Sequence, residues 1–264
     1  MLTSDTNIHP TAIIDPKAQI GTGVSVGPYT IIGSEVLIGD GNIIENHVTI
    51  KGKTTIGHQN TIGPYVSIGL SAQDKAHRNE PTRVEIGDSN EIREYVSIQR
   101  GTLGSTGITK IGSHNQIMVY AHFAHDTSLG DHCMLANATT LGGHAQIGSY
   151  VVTGGLSAMH QFCRIGDFAM IGGLSAINQD VPPYMLCTGH RAKVYGINRV
   201  GLERNSFSPE EIFLIQKIFD IYFCKGLVSK KAIEMLQKEI TNSRVLDPFI
   251  DFIRQSTRGV LSKV

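Results

Sequence analysis

The chain has 264 residues with 23 basic and 23 acidic side chains, a balance that argues against a generic nucleic-acid or membrane-surface protein. No apolar run is long enough to span a bilayer and MLTSDTNIHP is no signal segment. Four cysteines (Cys133, Cys163, Cys187, Cys224) without metal or redox spacing place the protein in a reduced cytoplasm.

From Ile8 onward an aliphatic residue returns every sixth position through Ile14, Ile20, Val26, Ile32 and on to Ile68, usually with glycine just after it. The series resumes at Ile86, Ile92 and Ile98, and again from Ile111 to Ile177, where only Thr153 breaks the apolar rule. Neither a helix nor an alternating strand produces a strict period of six. It is the signature of a parallel β-helix, in which each unit buries its apolar residue only by stacking on its neighbours. The position four further on is often small or polar (Ala12, Ala18, Val24, Asn42, Asn60, Ala138) and suits a crowded corner, where Asn also tolerates left-handed backbone. Cys133 and Cys163 fall inside hexads and are expected to be small core fillers. Residues 70–83 lack the repeat without disturbing its phase, whereas residues 99–110 shift it by one. Both read as loops thrown out from a coil, where binding residues on rigid scaffolds tend to sit. The repeat is expected to end at Val181-Pro182-Pro183, since two prolines cannot continue hydrogen-bonded stacking.

Beyond Gly201 the periodicity turns helical. Ser208-Pro209-Glu210-Glu211 has capping-box spacing with proline at the first helical position, leading into Ile212, Ile215, Ile218, Phe219 and Tyr222 on one face. Ser229 is expected to cap a second helix running to about Thr241, and Asp247-Pro248 to open a third. The expected organisation is a β-helix over residues 1–190 and a small all-α domain over residues 191–264.

Hexapeptide coils resemble the left-handed parallel β-helix, a three-sided prism with about eighteen residues per turn. The handedness comes from that resemblance. In this register Phe123, Leu141 and Met159 stack, which places His125, His144 and His160 on successive coils, roughly one to two strand spacings of about 4.8 Å apart. His122 and Asp126 flank the first of them, Gly142-Gly143 precedes His144, and Gln161 follows His160. His114 and His132 find no comparable partners and are read as surface residues. Two chemistries fit the cluster. The imidazoles can hold a divalent metal, as in a hexapeptide-repeat carbonic anhydrase-like lyase. Alternatively one histidine acts as general base towards a hydroxyl, with a carboxylate fixing its tautomer and the Gly143 N–H facing a developing oxyanion. Spacing alone leaves both open.

Ala121-His122-Phe123-Ala124-His125-Asp126, Leu141-Gly142-Gly143-His144 and Met159-His160-Gln161-Phe162-Cys163 together resemble the UDP-N-acetylglucosamine O-acyltransferase family of lipid A biosynthesis. The likeness extends through Gln73-Asp74, Glu80 to Gly87, Gln179-Asp180-Val181-Pro182-Pro183-Tyr184 and Ser256-Thr257-Arg258-Gly259. The resemblance implies a cytoplasmic homotrimer, without metal or other cofactor, that moves a (3R)-hydroxyacyl group from acyl carrier protein to the 3-hydroxyl of UDP-N-acetylglucosamine. It implies His125 as general base, Asp126 as its orienting carboxylate and Gly143 as oxyanion donor. It further implies substrate contacts from Asp74, His122, His144, His160 and Gln161, and nucleotide contacts from Asn198 and Arg204. Gly173 and Arg191 correspond to positions along the acyl groove, and a glycine at 173 favours a longer chain. Lys217, Lys225, Lys230 and Lys231 are candidates for docking the acidic carrier protein. Four positions depart from the family pattern: Ala76 and Asn205 replace basic residues, Val200 an acidic one, and Arg191 a histidine; Lys75, His77 and Arg78 lie near Ala76. A sister acyltransferase acting on an amino-sugar nitrogen is the nearest alternative, although it carries an N-terminal domain before its hexads and the repeat here begins at Ile8. A non-catalytic binding scaffold is the remaining one.

Overall fold

The computed structural model describes residues 6–75, 78, 80–241 and 243–264, so that Ala76 and His77 lie outside the described residues. Among these, the strands form three sheets of eleven, nine and eight strands, the faces of a left-handed parallel β-helix. The first face begins at Asn7–Ile8, the second at Ile13–Ile14 and the third at Gln19–Ile20. Register is that of the sequence period: Phe123 pairs with Leu141, Leu141 with Met159 and Met159 with Ile177. Each hexad aliphatic from Val26 onward is buried inside the prism. Burying aliphatics on three faces at once explains why the chain needs no alternation of polar and apolar residues.

The corners are made differently from expectation. The left-handed backbone falls three residues after most of the aliphatics, as at Tyr29, His47, Tyr65, Asp126 and His144 with φ of 58–62°. The small position one further on is a buried, inward-facing site. Ala138 (φ 59°) therefore belongs to the left-handed set, and the buried Thr139 takes the small position. Asn42, Asn60, Asn90 and Asn115 occupy that inward site and form a ladder. The Asn60 amide donates to the Asn42 Oδ1 (3.0 Å), and Asn60 Oδ1 accepts from the Asn90 backbone and amide, both at 2.9 Å. Gly23 and Gly41 take the left-handed corner themselves (φ 65° and 67°), while other glycines serve close approach. At Gly57 an added Cβ would lie 2.1 Å from Asp88 Oδ1, a side chain that accepts the His58 N–H across the coil. Thr153 is tolerated inside because its hydroxyl meets that of Thr139 at 2.7 Å. Cys133 and Cys163 are core fillers as expected, and burial pushes their thiols up to about 12 and about 11.

Both interruptions are loops that leave stacking intact. Partners one coil apart, normally separated by 18 residues, become 30 apart across the first loop and 25 across the second. Parallel stacking also continues past the two prolines. Val181 bridges Ile165, and Met185–Thr188 still pairs with Met170–Ile171. Pro182 and Pro183 fall in the corner, where no ladder N–H is needed. Lys193–Ile197 then returns antiparallel on Met185–Thr188, so strand pairing runs beyond residue 190.

Four α-helices follow among the described residues: α1 (Arg199–Arg204), α2 (Pro209–Phe219), α3 (Ser229–Glu239) and α4 (Leu246–Arg254). The Ser208–Glu211 capping box forms as read. The continuation of α2, Asp220–Cys224, winds as a π-helical turn, and it is Ile221 rather than Tyr222 that is fully buried there. Ser229 opens α3 without capping it, because its hydroxyl is bonded to the Tyr222 hydroxyl at 3.1 Å. The tail returns to the prism: the Ser256 hydroxyl donates to Asp180 Oδ2 (2.7 Å) and the Asp180 N–H to Gly259 O (2.9 Å). The two C-terminal sequence motifs thus hold each other. No described helix is long and apolar enough to cross a membrane.

Candidate active site

The histidine column lies along the edge between the second and third faces, just after the strands His122–Phe123, Thr140–Leu141 and Ala158–Met159. Left-handed backbone at Asp126, His144 and Phe162 turns each coil there and stacks those three residues. The His144 ring lies flat on Phe162 (4.4 Å, 7°) and meets His125 edge-on, with centroids 4.9 Å apart. The sequence register therefore brings His125 and His144 together. His125 lies over Gly143: a Cβ on Gly143 would sit 2.7 Å from both Cε1 and Nε2 of the ring. Glycine is required at 143 by the imidazole itself, and the Gly143 N–H has no hydrogen-bond partner among the described residues.

Asp126 is almost fully buried, and its Oδ2 is 2.9 Å from His125 Nδ1 and 4.0 Å from His144 Nδ1. A carboxylate on that side places the proton on Nδ1, which leaves the His125 Nε2 lone pair free. Burial opposes ionisation of Asp126. The hydrogen bonds from His125 and from the Thr102 hydroxyl and backbone N–H outweigh it, and its carboxyl is held below the ordinary carboxylate range. Burial lowers His144, against the opposing attraction of Asp126 and Asp74, and burial also lowers His122. Both rings are thereby kept in their neutral, hydrogen-bonding form. Asp74, in the first loop, is thus within electrostatic reach of His144.

His122 is held by Ser97, whose hydroxyl is 2.7 Å from Nδ1. His160, exposed, turns its Nδ1 to the Gln161 carbonyl at 3.1 Å, and Gln161 is exposed beside it. Asn198 and Arg204 lie elsewhere in the chain. Asn198 caps α1, accepting from the Gly201 N–H (3.1 Å) while its amide donates to Phe168 O (2.8 Å) on the edge between the third and first faces. Arg204 is exposed in the last turn of α1; Val200 is exposed, and Asn205 closes the helix through the Gly201 carbonyl. Gly173 is exposed one coil above Gly155, next to the outward Leu156 and Leu174, and the turn bearing Arg191 stacks on Ala176. Of the four lysines, Lys217 and Lys225 pair with Glu239, while Lys230 and Lys231 open α3 on the exposed surface. His114 and His132, read as unpartnered, instead stack on each other at 4.8 Å and continue into Tyr150 along a separate edge.

Sequence reading missed Ser97, Thr102 and Ser105, the last lying 3.1 Å from His144 Nδ1 through its hydroxyl. The only signal for Thr102 and Ser105 was the one-residue phase shift of the second loop, whereas Ser97 stacks in register with His122. His125, Asp126 and His144 offer three ligand atoms within 4.8 Å of one another, the spacing of a metal site. Both Asp126 oxygens, however, already accept protein donors.

Known proteins share this fold and much of this sequence. A family model for UDP N-acetylglucosamine O-acyltransferase domain 2 matches residues 180–261. An acyl-(acyl-carrier-protein)–UDP-N-acetylglucosamine O-acyltransferase from Herminiimonas arsenicoxydans is 45% identical over 258 residues, covering 96% of this chain and 98% of its own. One of the same name from Alkalilimnicola ehrlichii is 47% identical over 256 residues, covering 97% and 99%. Among solved structures, LpxA from Acinetobacter baumannii superposes with a TM-score of 0.94 at 43% identity, over 96% of this chain and 99% of its own. The Francisella novicida UDP-N-acetylglucosamine acyltransferase gives 0.95 at 37%, over 97% and 94%. With the prism fold shared and 45–47% identity extending over nearly the full length of both chains, the chain belongs to the acyl-(acyl-carrier-protein)–UDP-N-acetylglucosamine O-acyltransferase family.

Proposed function

We propose that this protein transfers a (3R)-hydroxyacyl group from acyl carrier protein to the 3-hydroxyl of UDP-N-acetylglucosamine, the first step of lipid A biosynthesis, with His125 as general base. The observation that carries the mechanism is the Asp126-bonded His125 ring packed against Gly143, whose N–H has no partner among the described residues. Neutral His125 takes the sugar hydroxyl proton on Nε2 while the oxygen attacks the thioester carbon. Negative charge then develops on the thioester oxygen, where the Gly143 N–H donates to it. Collapse breaks the carbon–sulfur bond, and the departing thiolate of the carrier recovers the proton from His125. Asp126 stabilises the transient imidazolium and keeps the ring in one tautomer.

In this reading Asp74, His122, His144, His160 and Gln161 hold the sugar and acyl groups, and Asn198 and Arg204 the nucleotide. The latter pair sits on a different prism edge from His125 in the same chain, which supports a site shared between subunits of a homotrimer. The exposed edge formed by Tyr29, Tyr65, Tyr95, Tyr120, Leu156 and Leu174 offers apolar surface for such packing. Gly173 and Arg191 border the acyl groove. Lys230 and Lys231, with Lys217 and Lys225 behind them, receive the acidic carrier protein, and the enzyme works in the cytoplasm. The prism of residues 1–190 supplies the chemistry and residues 191–264 the docking surface.

A metal-dependent lyase is the second reading, favoured by the grouping of His125, Asp126 and His144. It requires Asp126 to give up donors it already holds, which the acyltransferase does not. Mass spectrometry of the product from a mixed acyl carrier protein pool, with UDP-N-acetylglucosamine and its 3-amino analogue offered together, tests the proposal. The expected product is the 3-O-acyl sugar nucleotide; exclusive N-acylation of the analogue, or no transfer, contradicts it.

A further inference from the structure

The seven residues that shift the repeat phase between Ile98 and Phe123 fold back over the catalytic edge, and their polar atoms converge on one group. Asp126 Oδ2 accepts from the Thr102 N–H (3.0 Å) and the Thr102 hydroxyl (2.7 Å), and its Oδ1 from the Gly107 N–H (3.2 Å) and the Thr106 hydroxyl (3.3 Å). With His125 Nδ1, five donors reach this carboxylate, the single Thr106 proton being shared with Ile108 O at 3.2 Å. The loop is drawn in tightly. A Cβ on Gly101 would lie 2.3 Å from Gly107 C and 2.8 Å from Asp126 Oδ1, so glycine at 101 is a condition of the closure. The backbone of Asp126 is fixed by the same segment, its N–H donating to the Thr109 hydroxyl at 2.9 Å. Ser105, at the loop tip, holds Nδ1 of His144.

We propose that the Thr102–Gly107 loop is a carboxylate clamp, with Thr102 and Thr106 as positioning residues for the acyl-transfer step. The inference rests on His125 being the general base and names what sets its working state. A carboxylate this buried with only His125 as partner would gain by taking up a proton or drawing fully on that of the imidazolium. Four further donors spread its charge over both oxygens. Asp126 thereby stays ionised and keeps its lone pair towards Nδ1, while its pull on the imidazolium is limited. Asp126 consequently holds the Nδ1 proton and leaves Nε2 of His125 to act as the base. Among the described residues the Thr102 hydroxyl bonds only Asp126, and it acts through that carboxylate.

The test is Thr102→Val in the full-length protein, which keeps shape and the backbone donor while deleting the hydroxyl. Acyl transfer from hydroxyacyl carrier protein to UDP-N-acetylglucosamine is followed across pH. Loss of a hydrogen bond to a charged group predicts a fall in kcat of about ten- to a hundredfold, with KM for the sugar nucleotide little changed. With fewer donors on Asp126, its negative charge stabilises the His125 imidazolium more, and Asp126 itself protonates more readily. Both effects move the acid limb of kcat/KM to higher pH, by about half a unit or more. Thr102→Ser is expected to restore rate and profile. Ring 15N shifts of His125 are expected to show the Nδ1–H tautomer in the wild type and a larger imidazolium fraction at the same pH in Thr102→Val. Where Thr102→Val fails to fold, Thr106→Val at the more exposed rim gives the same readouts with smaller shifts. An unmoved acid limb together with an unchanged imidazolium fraction overturns the clamp. Inactive His125→Ala beside such a result removes the clamp alone, whereas active His125→Ala removes the base assignment with it.

Discussion

Replacing Gly143 with alanine tests the closeness of base and oxyanion donor. The new methyl would stand 2.7 Å from Cε1 and Nε2 of His125 and 3.3 Å from Nδ1. Ordinary contact needs about 3.5–4.0 Å, so the ring has to retreat by about 1 Å. It cannot retreat freely, because Nδ1 is tied to Asp126 at 2.9 Å and His144 stands edge-on at 4.9 Å. The ring must pivot, loosening the Asp126 bond and carrying Nε2 away from the Gly143 N–H. A misplacement of that size costs about a hundredfold in rate. Because the obstructed group is the end of a rotatable side chain, the fold survives, and the melting temperature is expected to move by only a few degrees. Gly196→Ala, where a Cβ meets nothing within 4 Å, is the control and is expected to retain wild-type rate. Steady-state acyl transfer with both variants decides the matter. A Gly143→Ala enzyme within about twofold of wild type would refute the geometry, since the stated displacement cannot be that harmless.

The internal ladder predicts that Asn60→Ala destabilises by about 2–4 kcal/mol, because it leaves the Asn90 N–H and the Gly87 carbonyl without their Asn60 partners inside the prism; denaturant unfolding measures this. Folding favours neutral His122 and His144, whose pKa values burial lowers from the ordinary 6.5. Below about that pH the unfolded chain binds protons that the folded chain refuses, so stability is complete above this range and falls as pH drops through it. Asp126, held below its ordinary 3.8, adds stability that is present above that value and is lost on further acidification. Melting temperatures between pH 7.5 and 5 should therefore decline, and His122→Asn should flatten the slope. Ser208→Ala, which removes the capping box of α2, is expected to cost about 1 kcal/mol in the same unfolding assay. Gly173→Met places a side chain beside Leu156 and Leu174, with its Cβ already 3.3 Å from Gly155 O; mass spectrometry should show products shifted to shorter acyl chains.

The prism was legible because burial on three faces forces one aliphatic per hexad, and a period of six has no other simple source. The meeting of His125 with His144 followed from that period together with the eighteen-residue turn of the hexapeptide coils it resembles. Ala138 was misplaced because apolar spacing marks the buried face, while the left-handed corner is occupied by residues as unlike as Tyr65, His144 and Ala138. The side-chain partners were not legible for a related reason. Thr102 and Ser105 lie in a loop with no period, and only coordinates reveal that it folds over Asp126. Asn198 looked like a ligand residue, and its cap on α1 was hidden because a six-residue helix carries too little pattern to be seen.

The measurement closest to the central claim is the single-turnover rate of His125→Ala with hydroxyacyl carrier protein and saturating UDP-N-acetylglucosamine, beside a demonstration that its melting temperature and assembly match the wild type. Loss of a positioned general base predicts a fall of about 10²–10⁴-fold, with substrate binding retained. Turnover at the wild-type rate would show that another group removes the hydroxyl proton and that the edge formed by His125, Asp126 and Gly143 is not where the acyl group moves.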